Sequence, residues 1–495
     1  MKIIKQNKLA IGIILLLSAA SVTSEIYADV QEVETVTIIG TKADIKELPG
    51  SGTVVSNEEL QKAMDTDIHK ILSAVPGVYF RTEDGYGLRP NISIRGTSID
   101  RSAKITLMED GILVAPAPYT SSSAYYFPTT GRINSVEVLK GPSSISQGPS
   151  TIGGAINMIS TPIPELASGK LTQEFGQNGM LRTHAYYGGV SGNFGGLVEI
   201  HEHQSDGFDS IANVGGDTGF DKSDLMIKAR YESGDHSVTF KMVDIDEVSN
   251  QSYVGLSGQS FNANPRVRYG MTQYDEMNND GDQKSLTYLG DFEKFRVIAS
   301  TWSNDYHRDW FKVDKANNNS DHGVGNGINT VISAANAGNE NAQAILDGTL
   351  AVQVKLKHNN RFYTNEGYQF KVSTDVKNHN ITIGYRDMED SESRYQNYEC
   401  FDQSANGTNS ALYACSSGYT GSNNRLRVSK ATSFYIEDKI TLGALALTIG
   451  HRSEDYDQVE NRWNDGVPTR TMLASGYPKT KDGDHSTTGF GATYD

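Results

Sequence analysis

Beyond its first 28 residues the sequence contains no run of about 18 apolar residues, the length a helix needs to cross a bilayer. Helical spans are therefore excluded from the mature chain, but strands are not, because a membrane strand shows only alternation over about 10 residues. A basic excess is also missing: 44 Lys and Arg stand against 60 Asp and Glu, a net charge of −16. Nucleic acid is excluded as a main partner, since binding a phosphate backbone calls for a basic surface. Proline is scarce, with 13 residues, and there are two cysteines, too few for a disulfide framework or a four-cysteine metal site. Glycine (49) and tyrosine (25) are abundant instead, a balance suited to long β-structure with aromatic girdles.

The first residues set the compartment. Lys2, Lys5 and Lys8 form a basic start, Leu9–Ala20 is apolar, and a small residue offers a cleavage point after Ala28. Residues 1–28 thus read as a secretory signal peptide, its apolar stretch of about 12 residues being too short to span the membrane. In an exported chain the close pair Cys400 and Cys415 reads as one disulfide. Closing about 15 residues, it contributes roughly 3 kcal/mol in the chain-entropy account.

Texture changes near residue 165. Residues 46–164 carry short mixed elements: a helix is expected over Asp67–Val75, ended by Pro76-Gly77, with strands at Asn91–Arg95, Ile105–Met108, Val136–Leu139 and Ala155–Ile159. Residues 165–495 alternate instead. Tyr368, Phe370 and Val372 oppose Gln369, Lys371 and Ser373, and Ile381, Ile383 and Tyr385 oppose Thr382, Gly384 and Arg386. Short turns fall near 189–195, 233–236, 291–295, 376–380 and 439–443, and long polar connections near 205–223, 247–283, 305–360, 389–427 and 456–486. Long connections all on one rim are the mark of an up-and-down membrane barrel. The expected fold is an all-β transmembrane antiparallel barrel with an α+β domain before it. About 12 strands are present, the last ending near Asp495, and further strands are expected beyond that point.

"SVEVLKGPSSISQGPSTIGGAINMIS", Ser135–Ser160, sets Gly, Pro and Ser between two strands, yet lacks both G-x-x-x-x-G-K-[ST] and G-x-G-x-x-G at a helix start, so it is not a nucleotide site. It belongs to a motif series. Ile71–Val78 with its Pro-Gly-Val ending, Ile94-Arg95-Gly96, Asp110-Gly111-Ile112, Val136–Pro142 and Gly153–Asn157 occur in the order found in the TonB-dependent outer-membrane receptors, preceded by Glu34-Thr35-Val36-Thr37-Ile38, which resembles a TonB box. From about residue 33 onward the chain resembles that family. The resemblance implies a box and linker at 29–45, a plug domain at 46–164 within the lumen, and a barrel of about 22 strands of which 165–495 is part. It implies TonB and its inner-membrane energy-transducing complex as partner, outer-membrane lipid as surroundings, the bacterial outer membrane as location, and no enzymatic activity. It also implies that Arg95 and Lys140 lock the plug to barrel glutamates, Glu437 being one candidate.

Within the family, Asp110–Tyr119 resembles the ferric dicitrate receptor group. The resemblance points to an iron(III) chelate, ferric citrate or another siderophore, as cargo. Arg101, Lys104, Tyr119, Ser121 and Ser122 are the expected contacts, with Arg266, Arg268 or Arg308 from the loops, because guanidinium, ammonium and hydroxyl groups suit an anion. The Thr-Ser-Ser-Ser after Tyr119 departs from the Gly-Gln of citrate receptors, which leaves cobalamin, a carbohydrate or another scarce nutrient as alternatives. A passive porin or an outer-membrane enzyme would need neither box nor plug. No cofactor or metal site is expected: Asn278–Asp282 lacks a calcium loop's twelfth-position Glu, and His201-Glu202-His203 lacks a third ligand.

Overall fold

The computed structural model describes residues 36–39, 42, 45, 48, 50–413, 415, 419, 421–464 and 470–494. The signal peptide 1–28 and the box residues Glu34 and Thr35 lie outside them.

Seven short strands build the first unit: β1 Ser51–Val55, β2 Val78–Phe80, β3 Ile92–Ile94, β4 Thr106–Glu109, β5 Ile112–Leu113, β6 Ile133–Lys140 and β7 Ala155–Ser160. Five form a sheet in the order β1-β6-β7-β4-β5, parallel only between β4 and β7, and β2 pairs with β3. The helix expected at 67–75 spans Ile68–Ser73, its backbone capped by the Asp67 side chain, which accepts from His69 N at 2.8 Å. Ile68, Ile71 and Leu72 pack from this helix against Val136, Val138 and Ile156 of the sheet. The long run of buried residues in β6 and β7 explains why those segments read as apolar rather than alternating.

The second unit is one antiparallel wall. Its strands are β8 Ser168–Phe175, β9 Leu181–Ser191, β10 Phe194–Ser205, β12 Phe220–Ser233, β13 His236–Ser249 and β15 Glu276–Phe292, then β16 Phe295–Lys315, β17 Val352–Val376, β18 His379–Gln403, β20 Gly421–Leu442, β21 Leu445–Trp463 and β22 Lys479–Tyr494. Neighbours in sequence are neighbours in the sheet, with β8 and β22 at its edges. Short β11 Ser210–Ile211 and β14 Val267–Arg268 pair with each other, and β19 Asn409–Tyr413 pairs with β18. The alternation read from sequence is the wall's inside-outside pattern: Tyr368, Phe370 and Ile383 are exposed outward, whereas Arg386 and Arg452 are buried against the first unit. No helix among the described residues is long and apolar enough to cross a membrane.

The connections differ from expectation at the outer end. Much of 305–360 and 389–427 is strand, since β16 runs for 21 residues and β17 and β18 for 25 each. Charged and amide side chains run through their outer halves, as in Asp390–Arg394 of β18, which hid them, although Val352, Val354 and Leu356 of β17 are buried. Helices at Ile328–Asn336 and Glu340–Leu346 then share a separate apolar core with Met271, Leu356 and Phe401, while the short helix Gly258–Ala263 buries no residue. Cys400, near the end of β18, is disulfide-bonded to Cys415, with Cα atoms 5.9 Å apart.

The first unit lies inside the curve of the wall, and glycine lets it sit close. A Cβ at Gly131 would overlap the imidazole of His201 on β10, and one at Gly148 would meet Arg452 and Glu454 of β21. Gly131→Ala is therefore expected to lower stability by about 1–3 kcal/mol through overpacking. Gly255→Ala, at a position with open space around it, is expected to change nothing. Denaturant midpoints of the two variants check this.

Candidate functional site

Six charges join the first unit to the wall. Arg132 is buried just before β6 and forks onto Glu109 at the end of β4, Nη1 bonding Oε1 and Nη2 donating to Oε2 at 3.1 Å. Its Nε donates to Asp224 of β12 at 3.1 Å. Lys241 of β13 donates to Glu109 at 3.1 Å and to Asp110 at 2.6 Å, and Lys228 of β12 reaches the Thr161 carbonyl at 2.7 Å. Burial pushes the Glu109 and Asp110 carboxyls up, but the cations outweigh it, Arg132 and Lys241 at Glu109, Lys241 and Lys228 at Asp110; both are held below the ordinary range. Three carboxylates and three cations share one buried seat.

Next to the seat, Gly111–Thr120 runs along the wall as a strap. Gln369 donates to the Gly111 carbonyl at 2.9 Å, and Asn365 to those of Leu113 and Ala115 at 3.0 and 3.2 Å. Asp390 of β18 accepts from Tyr119 N at 2.6 Å and Thr120 N at 2.9 Å. Thr120 Oγ1 donates to Ser429 at 2.9 Å, and Tyr119 Oη to Glu454 at 3.1 Å. The strap thus closes the space between plug and strands β17 to β21.

Outward of the strap the wall is cationic. Arg308 on β16 is register-paired with Arg361 on β17, Arg361 with Arg394 on β18, Arg394 with Arg425 on β20, and Arg425 with Arg462 on β21. Directly paired residues of an antiparallel sheet share a face, so five arginines form one rung. The face is inward, because the Arg308 guanidinium lies 3.5 Å from the ring centre of Tyr125 in the first unit. Glu392 alone is bonded by Arg361, Arg394 and Arg425. Arg308 is fully buried, yet Nη1 and Nη2 lack hydrogen-bond partners among the described residues, as do Nε of Arg394 and of Arg425. Burial pushes the Tyr125 phenol up, but Arg308 and Arg101 outweigh it and hold it below its ordinary value.

At the other end, among the short turns, Val36–Ile39 docks on the sheet. Glu137 accepts from Ile38 N at 2.8 Å and Ile39 N at 3.0 Å, and Asn157 donates to the Val36 carbonyl at 3.1 Å.

The residues singled out from sequence are distributed across these layers. Val36, Thr37 and Ile38 lie at the inner end, on the sheet. Arg95 is exposed, and the Lys140 ammonium donates to the Pro76 carbonyl at 2.7 Å. Among the described residues neither pairs with a wall carboxylate, and the Glu437 charge acts with Lys371 and Lys439 instead. The ionic attachment is carried by Glu109, Asp110 and Arg132, which sequence reasoning missed. The signal available was Lys241, which alternation places with Thr239 and Val243 on the inward face of β13, opposite Val238, Phe240 and Met242. Arg101 lies at the outer end, bonded to Glu83 at 2.6 Å, while Lys104 is exposed. Tyr119 is part of the strap, Ser121 N bonds back to the Ala117 carbonyl at 2.9 Å, and Ser122 is half-buried. Arg266 is exposed and Arg268 donates to backbone carbonyls of Asn250 and Thr272, so of the three loop arginines only Arg308 joins the cationic rung. No group of three metal-ligating side chains occurs among the described residues.

Residues 44–155 match the TonB-dependent Receptor Plug Domain. The fold resembles the ferric citrate transporter FecA in its unliganded form, with TM-score 0.68, 18% identity and coverage of 92% of this chain and 62% of that one. It also resembles the ferric-catecholate import receptor Fiu of E. coli K12, with TM-score 0.66, 13% identity and coverage of 90% and 68%. In sequence, the vitamin B12 transporter BtuB of Photobacterium profundum is 22% identical over 358 residues, 67% of this chain and 57% of that protein. The chain therefore spans little more than half the length of that relative.

Removing one member of the buried seat leaves the others uncompensated, at a cost of about 3–5 kcal/mol. Lys241→Met is expected to loosen the plug, read as a lower denaturant midpoint and entry of large antibiotics into cells. The pH dependence has a fixed sign. Carboxyls with lowered pKa in the folded state give stability that is fully present above their unfolded pKa, near 4.5 for Glu109, and lost as pH falls through the folded one. Plug seating should thus be flat from neutral pH to about 5 and weaken in stronger acid, as limited proteolysis across a pH series would read.

Proposed function

The chain carries the TonB-dependent receptor plug domain, seated in the barrel wall of an outer-membrane receptor, and from that premise we propose that it imports an anionic iron(III) chelate. The chelate, ferric citrate or another carboxylate-rich siderophore, binds at the outer rung and passes into the periplasm when TonB pulls on Glu34–Ile38. The single observation supporting an anionic cargo is the rung Arg308, Arg361, Arg394, Arg425 and Arg462, five cations to which two carboxylates are bonded, Glu392 by three of them and Glu460 by Arg462, while Arg308 has no carboxylate partner among the described residues. Guanidinium groups in excess over carboxylates, with free donors on Arg308, Arg394 and Arg425 among the described residues, favour multidentate carboxylate or phosphate ligands. Plug residues Arg101 and Tyr125 border the same space, with Arg101 lying over the Tyr125 ring at 5.3 Å. Lys104, Ser121 and Ser122 are retained as weaker contacts from the plug's outer loops.

An outer membrane holds no ATP, so energy for release comes from the inner-membrane complex that drives TonB. Val36 and Ile38 alternate with Thr37 in a segment suited to pairing as an added strand. Cobalamin is the second reading, favoured by the sequence likeness to a vitamin B12 transporter. It fits the rung poorly, since a corrin offers no set of carboxylates to meet five arginines. Transport through a plugged lumen also accounts for the architecture without any catalytic step.

Arg394→Gln removes one charge-assisted contact, worth about 1.5–3 kcal/mol. It should weaken ferric citrate binding by the full chain about 10–100-fold and leave any cobalamin binding unchanged. Equal affinity in the variant contradicts the anionic reading. Val36→Pro deletes a backbone donor and should abolish uptake while leaving binding intact.

A further inference from the structure

Inward of the strap lies a second cationic space, outside the rung that the proposed function uses. Its inward-facing residues are register-paired: Lys371 with Gly384, Gly384 with Tyr435, and Tyr435 with Arg452; Arg386 comes from the rung above. Arg386 and Arg452 are buried. Arg386 donates Nε to Gln369 at 3.0 Å and Nη1 to the Gly148 carbonyl, with no carboxylate partner among the described residues. Arg452 is paired with Glu454 at 2.7 Å. No hydrogen bond or salt bridge joins Lys371 to a described residue; the carboxylates acting on its charge are Glu437 and Glu137, and Glu137 is already bonded to Ile38, Ile39 and Asn157.

Lys371 borders two adjoining spaces. One is a small cleft against Arg386, Tyr435 and Arg452, closed by Val36, Thr37 and Ile38. The other is a cleft of about 360 Å³ toward the short turns, bordered by Thr37, Asn380, Thr382 and Arg296, the last paired with Asp291. The docked box segment therefore forms part of the boundary of both.

We propose that Lys371, Arg386 and Arg452 form a second, inner anion-binding site, which receives the carboxylate cargo after it passes the strap and which the docked Val36–Ile38 segment closes. This rests on the reading of the cargo as an anion. The arginine rung stands outward of the strap, and Arg386, on the innermost rung to which the strap is stitched, stands with Lys371 and Arg452 inward of it, so an anion crossing that barrier is met by positive charge on each face. Withdrawing the box then removes one wall of the inner site and lets the cargo leave.

Calorimetric titration of the full chain with citrate, used as a trianionic probe, tests the inference. Two sites are expected. Lys371→Gln should weaken one at least tenfold, Lys371→Arg should restore it, and Arg394→Gln should weaken only the other. A shared thermal midpoint for Lys371→Gln and Lys371→Arg shows that the loss is not unfolding. One site only, lost in Arg394→Gln and intact in Lys371→Gln, overturns the inner site and leaves the anionic cargo standing. No citrate bound by the parent overturns both. A single site lost in Lys371→Gln alone supports the inner site and contradicts the outer one.

Discussion

Everything in this molecule depends on a buried ionic contact between two independently built parts. Glu109, Asp110 and Arg132 come from the plug, and Asp224, Lys228 and Lys241 from two adjacent wall strands. A plug held only by apolar contact would bury area in many nearly equal orientations. Matched charges in a dry setting tolerate few, because a shift of an ångström or two leaves a carboxylate or guanidinium unpaired. The seat therefore fixes orientation, and orientation decides which plug segment faces which wall rung. The strap meets Asn365 and Asp390 only because Asp110 is anchored one residue before it begins.

From that registration the lumen acquires layers. Arginines crowd the outer end, where Arg308 lies against Tyr125. The strap occupies the middle, hydrogen-bonded at Gly111, Leu113, Ala115, Tyr119 and Thr120. Lys371, Arg386 and Arg452 lie below it, beside Val36, Thr37 and Ile38. Hydrogen bonds to backbone carbonyls and amides are individually modest, so the strap can give way while the ionic seat stays closed. This division suits a transporter that opens a passage along one side of the plug. It does not require the plug to leave.

Much of the fold was legible in the sequence, for physical reasons. The plug's motifs are backbone requirements, turns and close approaches that only Gly and Pro meet, and those appear as letters. The wall's period-two alternation appears because lipid and lumen differ so strongly in polarity. The outer halves of β16, β17 and β18 do not read as strands because charged and amide side chains dominate them, and the apolar residues there, Val313, Val352, Val354, Leu356 and Phe401, pack on the small helices rather than on lipid. The small helices near Ile328 and Glu340 were missed inside a segment taken as connection.

The site was less legible. Arg95 and Lys140 belong to motifs and so drew attention, whereas the ionic partners Arg132 and Lys241 lie where no short pattern marks them. The arginine rung depends on strand register across five strands, and a slip of one residue would turn a side chain to the lipid face. Scattered positions such as 308, 361, 394, 425 and 462 become one site only after pairing is known. Tyr119 was read as a cargo contact from its motif; its hydroxyl and amide instead bond Glu454 and Asp390 of the wall.

The central claim is that cargo passes between the strap and strands β17 to β21. The most direct measurement joins the two covalently, using Thr120→Cys with Ser429→Cys, whose side-chain oxygens lie 2.9 Å apart in the parent. The cross-linked full-length receptor should bind ferric citrate with the parent's affinity yet import none, and reduction should restore import, with the parent treated identically as control. Import at the parent's rate while the cross-link is intact would contradict the account.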